Sequence, residues 1–194
     1  VVAGSSAGLG LAAARALAAE GVKVTICGRD PERLAAAEQT LRGDGAEVLA
    51  VVADVSSPTG AATMVDRARE HFGGVDILVA NAGGPPPGTF ATTTIDAYRQ
   101  ALELSLLSTV SLCQATVPAM QDAGWGRVVA ITSIGARQPI GRLMASSTAR
   151  AGVTGFLKVL ATEVAPDGVT VNSVQPGLHA TDRLAHLEEA ALDA

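Results

Sequence analysis

Three glycines near the start of the chain constrain its fold more than any other feature. Gly4, Gly8 and Gly10 follow an apolar run at residues 1–3 and precede an alanine- and leucine-rich stretch with helical periodicity. This order predicts a strand, a sharp turn and a helix, because glycine lets a backbone turn tightly and approach a ligand closely. Free N–H groups at the helix start would stabilise a diphosphate. We predict a dinucleotide site, although a plain β-to-α turn would use the same glycines.

Composition narrows the class of protein further. The chain has 194 residues, 48% of them hydrophobic, which is enough for one sizeable core, so we expect a single domain over residues 1–194. A net charge of −5 argues against binding to nucleic acid or to anionic lipid. The sequence shows neither a membrane-spanning run of about 20 apolar residues nor a signal-peptide pattern. We therefore expect a cytoplasmic protein with no membrane and no nucleic-acid partner.

Cysteines and histidines give little sign of metal or disulfide chemistry. Cys27 and Cys113 each lie inside an apolar run, which is typical of core residues in a reducing compartment. The three histidines are scattered, so no metal site is predicted. The first strand has barely begun at residue 1, and residue 194 lies in a helical pattern without a stop signal. We expect the natural chain to continue beyond both ends.

Short apolar runs alternate with longer helical patterns along the whole sequence. Continuous apolar runs are typical of parallel strands that are buried on both faces. We predict strands at residues 23–27, 47–52, 76–80, 127–132 and 169–174, and helices at 9–19, 31–42, 58–72, 95–120, 147–164 and 182–192. This alternation predicts an α/β fold of the Rossmann type, a doubly wound parallel sheet in three layers (α/β/α) with its ligand crevice at the strand carboxyl ends.

The end of the second strand indicates which dinucleotide is bound. In such folds an acid at this point binds a ribose diol, whereas an arginine accommodates a 2′-phosphate. Gly28 stands where the acid would be expected, Arg29 follows it, and Asp30 is explained as a helix cap. NADP is therefore favoured over NAD, unless Arg29 is only a solvated surface charge. Asp54 could meet the adenine, or it could form a local turn with the serines that follow it.

Five short motifs follow one another along the chain: the glycine turn, Asp54-Val55, Ala80-Asn81-Ala82-Gly83, Ile131-Thr132-Ser133 and Val171-Asn172-Ser173-Val174-Gln175-Pro176-Gly177. Their order and spacing resemble the short-chain dehydrogenase/reductase family, and the likeness is closest to the 3-oxoacyl-(acyl-carrier-protein) reductases. The resemblance implies a seven-stranded sheet, a nicotinamide cofactor, and a homodimer or homotetramer built through the helices at 105–120 and 147–164.

The resemblance also implies which residues contact the cofactor. In the family the glycines surround the diphosphate, Asp54 and Val55 hold the adenine, and the segment 176–181 approaches the nicotinamide. Together with Arg29, the expected contacts are Gly4, Ser5, Ser6, Gly8, Leu9, Gly10, Asp54, Val55, Asn81, Ala82, Gly83, Arg150, Pro176, Gly177 and Thr181.

The resemblance breaks down at the catalytic residues. The family uses an asparagine, a serine, a tyrosine and a lysine, and these positions hold Ser105, Ser133, Ser146 and Arg150 here. A serine hydroxyl is a far weaker acid than a phenol, and arginine stays protonated, so it cannot relay protons. Loss of general acid catalysis typically lowers a rate by ~10² to 10⁴-fold. We expect impaired but not necessarily abolished catalysis.

Other residues could restore part of this chemistry. Ser133, Ser146 and Arg150 together could stabilise an oxyanion, with water as the proton source. The same Ser146 and Arg150 could be merely a helix start and a surface charge. His179 lies in the segment expected near the nicotinamide and could act as an acid, or it could be an exposed loop side chain.

We therefore predict an NADP-dependent oxidoreductase, with NAD possible, that acts on a small-molecule carbonyl or secondary alcohol such as a 3-oxoacyl thioester. The alternative is a cofactor-binding or subunit-interaction protein that kept the fold and lost the chemistry.

Overall fold

A computed structural model describes residues 1–181 of the chain. The strands of this part are β1 (Val24–Gly28), β2 (Val48–Val52), β3 (Ile77–Ala80), β4 (Gly126–Ile131) and β5 (Val169–Val174). Its α-helices are α1 (Gly8–Ala19), α2 (Pro31–Gly43), α3 (Pro58–Phe72), α4 (Ile95–Ala101), α5 (Ser108–Asp122) and α6 (Met144–Val164). The helix predicted at 182–192 lies outside the described residues.

All strand pairs of the described part are parallel. β1 pairs with β2, and β4 pairs with β3 on one side and β5 on the other. Val2 joins the two groups, since it forms parallel bridges with Ile26 of β1 and Val79 of β3. The order is therefore β2, β1, the segment around Val2, β3, β4, β5, and chain order reverses on either side of Val2. Ligands of doubly wound sheets bind at such a reversal point.

The helices cover both faces of the sheet. α1 and α2 pack over one face around Ile26 and Val79, while α3, α5 and α6 pack over the other around Leu78 and Val128. Adjacent residues of β3, Leu78 and Val79, belong to opposite cores because successive side chains of a strand point to opposite faces. This three-layer arrangement confirms the predicted Rossmann-type fold. Between residues 1 and 181, no helix is long and apolar enough to cross a membrane.

The prediction of a single α-helix at 95–120 is wrong, because a π-helical segment at Leu102–Leu107 separates α4 from α5. Hydroxyl groups there donate to carbonyls four residues earlier: Ser108 Oγ to Leu104 O at 2.6 Å and Thr109 Oγ1 to Ser105 O at 2.9 Å. Bonds of the same kind are made inside regular helices of this protein, for example from Thr116 to Leu112 in α5, so they accompany the π-helical segment without causing it. π-Helical turns are often found at functional sites, and this one contains Ser105.

Candidate cofactor and active site

A cleft of about 630 Å³ opens at the carboxyl ends of the strands. Its walls come from the glycine turn, the loop after β3, the end of β4, the start of α6 and the segment after β5. Most of the predicted site residues line it: Gly4, Gly8, Leu9, Arg29, Asn81, Ala82, Gly83, Ser133, Ser146, Arg150, Pro176, Gly177 and Thr181.

The glycine turn has the geometry of a diphosphate cradle. Gly4 and Gly8 have φ angles of +55° and +56°, which L side chains rarely adopt. A Cβ on Gly10 would lie 2.2 Å from the Gly4 carbonyl oxygen, so only glycine allows α1 to approach the turn. Ala7 at the N-cap of α1 makes no side-chain hydrogen bond to the helix. The first-turn N–H groups are therefore left for a ligand, and the turn fits the diphosphate of a dinucleotide.

Asn81 holds this turn against the end of β3. Its Nδ2 donates to the Gly4 carbonyl at 2.9 Å and to the Ala3 carbonyl at 3.3 Å. The amide therefore fixes the position of the turn relative to the loop at residues 82–87, which also lines the cleft.

Ser5, Ser6 and Gly10 do not line the cleft. Ser5 is fully buried, and its Oγ donates to the Val2 carbonyl at 2.5 Å and accepts from the Cys27 N–H at 3.0 Å. Its own N–H donates to the Cys27 carbonyl at 2.9 Å. Ser5 thus fastens the turn to β1, because its polar groups are already used within the protein.

Asp54 and Val55 also lie outside the cleft. Val55 packs into the core, and the Asp54 carboxylate accepts hydrogen bonds from Ser56 N at 3.0 Å and Ser56 Oγ at 2.7 Å. Partial burial acts to raise the pKa of Asp54, but the Ser56 hydrogen bonds and the Arg29 charge outweigh it and hold this pKa below its usual value. The carboxylate is therefore ionised at neutral pH, and Arg29 lies within its electrostatic reach.

Two arginines, rather than one, line the cleft beside β1 and α2. Arg29 follows β1, and Arg33 lines the same cleft from the first turn of α2. Asp30 caps that helix, since its Oδ1 accepts from the N–H of Glu32 at 2.9 Å and of Arg33 at 3.2 Å. The sequence analysis missed Arg33, because an arginine at this position of a helix resembles an ordinary surface charge. Its spacing of four residues from Arg29 was the available signal.

Ser133, Ser146 and Arg150 meet around the end of β4. Ser133 follows the strand, and its Oγ accepts from the Gly135 N–H at 3.0 Å. Ser146 is buried in the first turn of α6, which begins at Met144, three residues before the predicted start. Arg150 lies one turn further along, and its Nη1 donates to the carbonyls of Ile131 at 3.3 Å and Thr132 at 3.0 Å. Its guanidinium group therefore stands beside the strand end that carries Ser133.

Ser105 lies outside the cleft that the other three positions line. It is 5% exposed, and its Oγ has no hydrogen-bond partner among residues 1–181. It lines a cavity of about 10 Å³ that it shares with Asn81, Thr132 and Arg150. This volume is about that of one water position, and the walls offer polar partners. Ser105 therefore lies behind Arg150 rather than in the cleft itself.

Apolar side chains form a further part of the cleft wall. The Pro85–Pro87 loop is fixed at its end by Gly88, whose N–H donates to the Arg142 carbonyl at 2.6 Å. Next to it lie Ile134, Ile140 and Leu143. The sequence analysis missed these three side chains, since nothing local distinguishes them from core residues.

Comparison with known proteins agrees with this geometry. The profile of the short chain dehydrogenase family matches residues 1–191. The acetoacetyl-CoA reductase of Cupriavidus necator is 32% identical over 193 residues, which are 99% of this chain and 78% of the reductase.

Two solved structures extend the likeness to the backbone. An actinorhodin polyketide ketoreductase variant with NADPH superposes with a TM-score of 0.95 at 34% identity, over 99% of this chain and 74% of that one. An NADPH-bound short chain oxidoreductase from Pseudomonas aeruginosa PAO1, described as containing an atypical catalytic center, gives a TM-score of 0.91 at 36% identity, over 98% and 75%. The chain therefore belongs to the short-chain dehydrogenase family.

Proposed function

We propose that this protein is an NADPH-dependent reductase of ketones, with 3-oxoacyl thioesters as the leading substrate class. One observation carries the proposal: a single cleft joins a diphosphate-sized glycine turn, two arginines and the polar set Ser133, Ser146 and Arg150. Arginine pairs with phosphate through charge-assisted hydrogen bonds, which favours a 2′-phosphorylated cofactor. The NADPH-bound structures that resemble the chain support the same cofactor.

The chain's own residues would hold the cofactor along the length of the cleft. The first-turn N–H groups of α1 would bind the diphosphate, and Arg29 and Arg33 the 2′-phosphate. Pro176, Gly177 and Thr181 would border the nicotinamide, since Thr181 Cγ2 comes within 3.8 Å of the Cβ position of Gly8 across the cleft. When bound, NADPH supplies the hydride.

The polar set would bind the reacting carbonyl. Ser133 and Ser146 can donate hydrogen bonds to the carbonyl oxygen, and the Arg150 charge would stabilise the negative charge that develops there. Preorganised donors of this kind lower barriers strongly, since removal of one typically lowers kcat by ~10² to 10³-fold. The small cavity beside Ser105 would hold a water that hydrogen-bonds the unpaired Ser105 Oγ.

The substrate class follows from the apolar wall and from the relatives. Pro86, Ile134, Ile140 and Leu143 offer apolar surface next to the polar set. An apolar acyl chain would gain about 0.8 kcal/mol for each methylene that it buries there. Similarity to an acetoacetyl-CoA reductase and to a polyketide ketoreductase supports a ketone of this kind. It also weighs against the alternative of a protein that binds cofactor without catalysis.

NADPH oxidation by the purified protein tests the proposal. We expect measurable turnover with a panel of 3-oxoacyl thioesters and ketones. Ser146→Tyr combined with Arg150→Lys should raise it by ~10²-fold or more, because a phenol beside an ammonium group is a competent acid. Thr148→Tyr with Thr154→Lys is the matched control, since both positions are exposed on α6. NADPH binding without any turnover, in wild type and in the double variant alike, would refute the proposed activity.

The proposal extends to assembly and location. A single-domain protein acting as a cytoplasmic homodimer or homotetramer agrees with two unpaired, buried cysteines and with the exposed apolar side chains of Leu107 and Val159 along the α5 and α6 region. Light scattering coupled to size exclusion would measure the assembly, and a monomer at micromolar concentration would contradict it.

A further inference from the structure

The polar set of the cleft lacks a group that can give up a proton. Serine hydroxyls do not titrate in the physiological range, and arginine remains protonated. The Arg150 guanidinium donates to the backbone carbonyls of Ile131 and Thr132, which fixes it beside the strand end as a charge. Reduction of a ketone nevertheless needs one proton for each hydride. A proton donor must therefore come from another part of the cleft wall or from water.

Among the described residues that line the cleft, the titratable side chains are three arginines and His179. The arginines are Arg29 and Arg33 beside β1 and α2, and Arg150 beside β4, and no carboxylate is among these lining residues. Histidine is the side chain whose ordinary titration range spans neutral pH. His179 is therefore the one side chain of this described lining that can donate and regain a proton during turnover.

The segment that carries His179 is tied to the strand end that carries Ser133. Thr132 N donates to the Val174 carbonyl at 2.9 Å, and Ile134 N donates to the Pro176 carbonyl at 3.1 Å, so hydrogen bonds flank Ser133 on both sides. Beyond His179, Thr181 reaches the position of Gly8 on the opposite wall. His179 therefore lies on a short segment between the carbonyl-binding serine and the diphosphate turn.

One ring nitrogen of His179 already has a partner. Nδ1 lies 3.2 Å from the Gly177 carbonyl oxygen, to which it can donate a hydrogen bond. A ring held in this way presents Nε2 as the nitrogen whose proton can be transferred. The side chain is exposed rather than packed in the core, so it can turn toward a bound substrate and exchange protons with solvent.

We propose that His179 donates the proton in ketone reduction, in the place of the missing tyrosine. This inference rests on the proposed reductase function. The carbonyl carbon accepts the hydride supplied by NADPH, which becomes NADP⁺. The π-electron pair of the C=O bond moves to oxygen, and this oxygen takes the proton from Nε2 of the imidazolium. The products are a secondary alcohol and a neutral imidazole, which solvent protonates again. Ser133 and Ser146 hold the oxygen during the transfer.

Kinetics of the full chain with NADPH and a ketone substrate test the step. Wild-type kcat should fall as pH rises through the histidine range, because the acid is then lost. His179→Gln should lower kcat by ~10²-fold and flatten this profile, while KM changes little. His179→Gly should regain activity in added imidazole, which a purely structural role would not produce. His71→Gln, on the exposed end of α3, is the matched control and should behave like wild type. An unchanged rate and profile in His179→Gln would overturn the proposal.

A binding experiment separates this inference from the proposed function. The ring carbon signals of the histidines can be assigned by comparing wild type with the His179→Gln and His71→Gln variants. Saturation with NADP⁺ and a secondary alcohol should shift the His179 signal and change its pH midpoint, but leave His71 unmoved. If wild type shows no turnover, the proposed function fails, and this titration still decides whether His179 faces the cofactor. A His179 signal that neither ligand shifts would overturn the proposed role of His179.

Discussion

Gly10→Ala should disrupt the glycine turn without changing any charge. The new Cβ would lie 2.2 Å from the Gly4 carbonyl oxygen and 2.9 Å from Nδ2 of Asn81. These atoms must separate by about 1 Å to reach van der Waals contact. Overpacking of this size costs about 1–3 kcal/mol, and loss of the hydrogen bond from Asn81 to Gly4 costs about 1–3 kcal/mol more. The better helix propensity of alanine offsets about 1 kcal/mol. We expect a net loss of about 1–5 kcal/mol of unfolding free energy.

Two measurements check this expectation. Guanidinium unfolding gives the stability, and fluorescence titration gives the Kd for NADPH, which should rise by about 10 to 100-fold if one amide contact to the diphosphate is lost. Gly43→Ala is the matched control, since a Cβ at this helical position meets nothing within 4 Å. That substitution should stabilise the fold by about 0.4–1 kcal/mol and leave the Kd unchanged. A Gly10→Ala protein with wild-type stability and wild-type Kd would refute the close packing of α1 on the turn.

Three further changes probe the site and the core. Arg29→Ala should weaken NADPH binding by about 10 to 100-fold but leave NADH binding nearly unchanged, since only NADPH carries the 2′-phosphate; equal losses in two parallel titrations would contradict this. Ser5→Ala should cost about 1–3 kcal/mol in guanidinium unfolding, because the buried Cys27 N–H loses its acceptor, and an unchanged midpoint would count against that role. Burial raises the pKa of the Cys27 thiol to about 11 and of Cys113 to about 12. In the unfolded chain the two thiols ionise at a lower pH than in the folded protein. The free energy of unfolding should therefore fall as pH rises above about 9 and stay unaffected below about 8. Rapid labelling of the native protein by a thiol reagent at pH 8 would argue against this burial.

Helix and strand positions could be predicted largely from local patterns. The predicted strands lie within one residue of β1 to β5 at each end, because buried parallel strands read as continuous apolar runs. The start of α2 was equally clear, since Asp30 and the proline after it form a standard helix start. The break between α4 and α5 was missed, because helical periodicity continues through the π-helical segment and no residue pattern in the sequence marks it.

The candidate site, too, could be predicted from the sequence only in part. Its glycine turn and the replaced family residues are visible in the sequence because their spacing is fixed. Which of them face the cleft is not visible there. Ser5 and Gly4 are neighbours, yet Ser5 turns into the protein to bond β1 while Gly4 lines the cleft. Arg33 and the apolar side chains Ile140 and Leu143 join the cleft only because distant segments pack together.

The sequence by itself determined the alternation of strands and helices, the dinucleotide turn and the loss of the tyrosine and lysine. These depend on the residue types and on distances along the chain. The tertiary structure decided that Arg150 bonds to the end of β4, that Ser105 lies in a separate cavity, and that His179 shares the cleft with Ser133. These relations depend on side-chain orientation and on long-range packing. Both follow from the way in which β1 to β5 align their carboxyl ends.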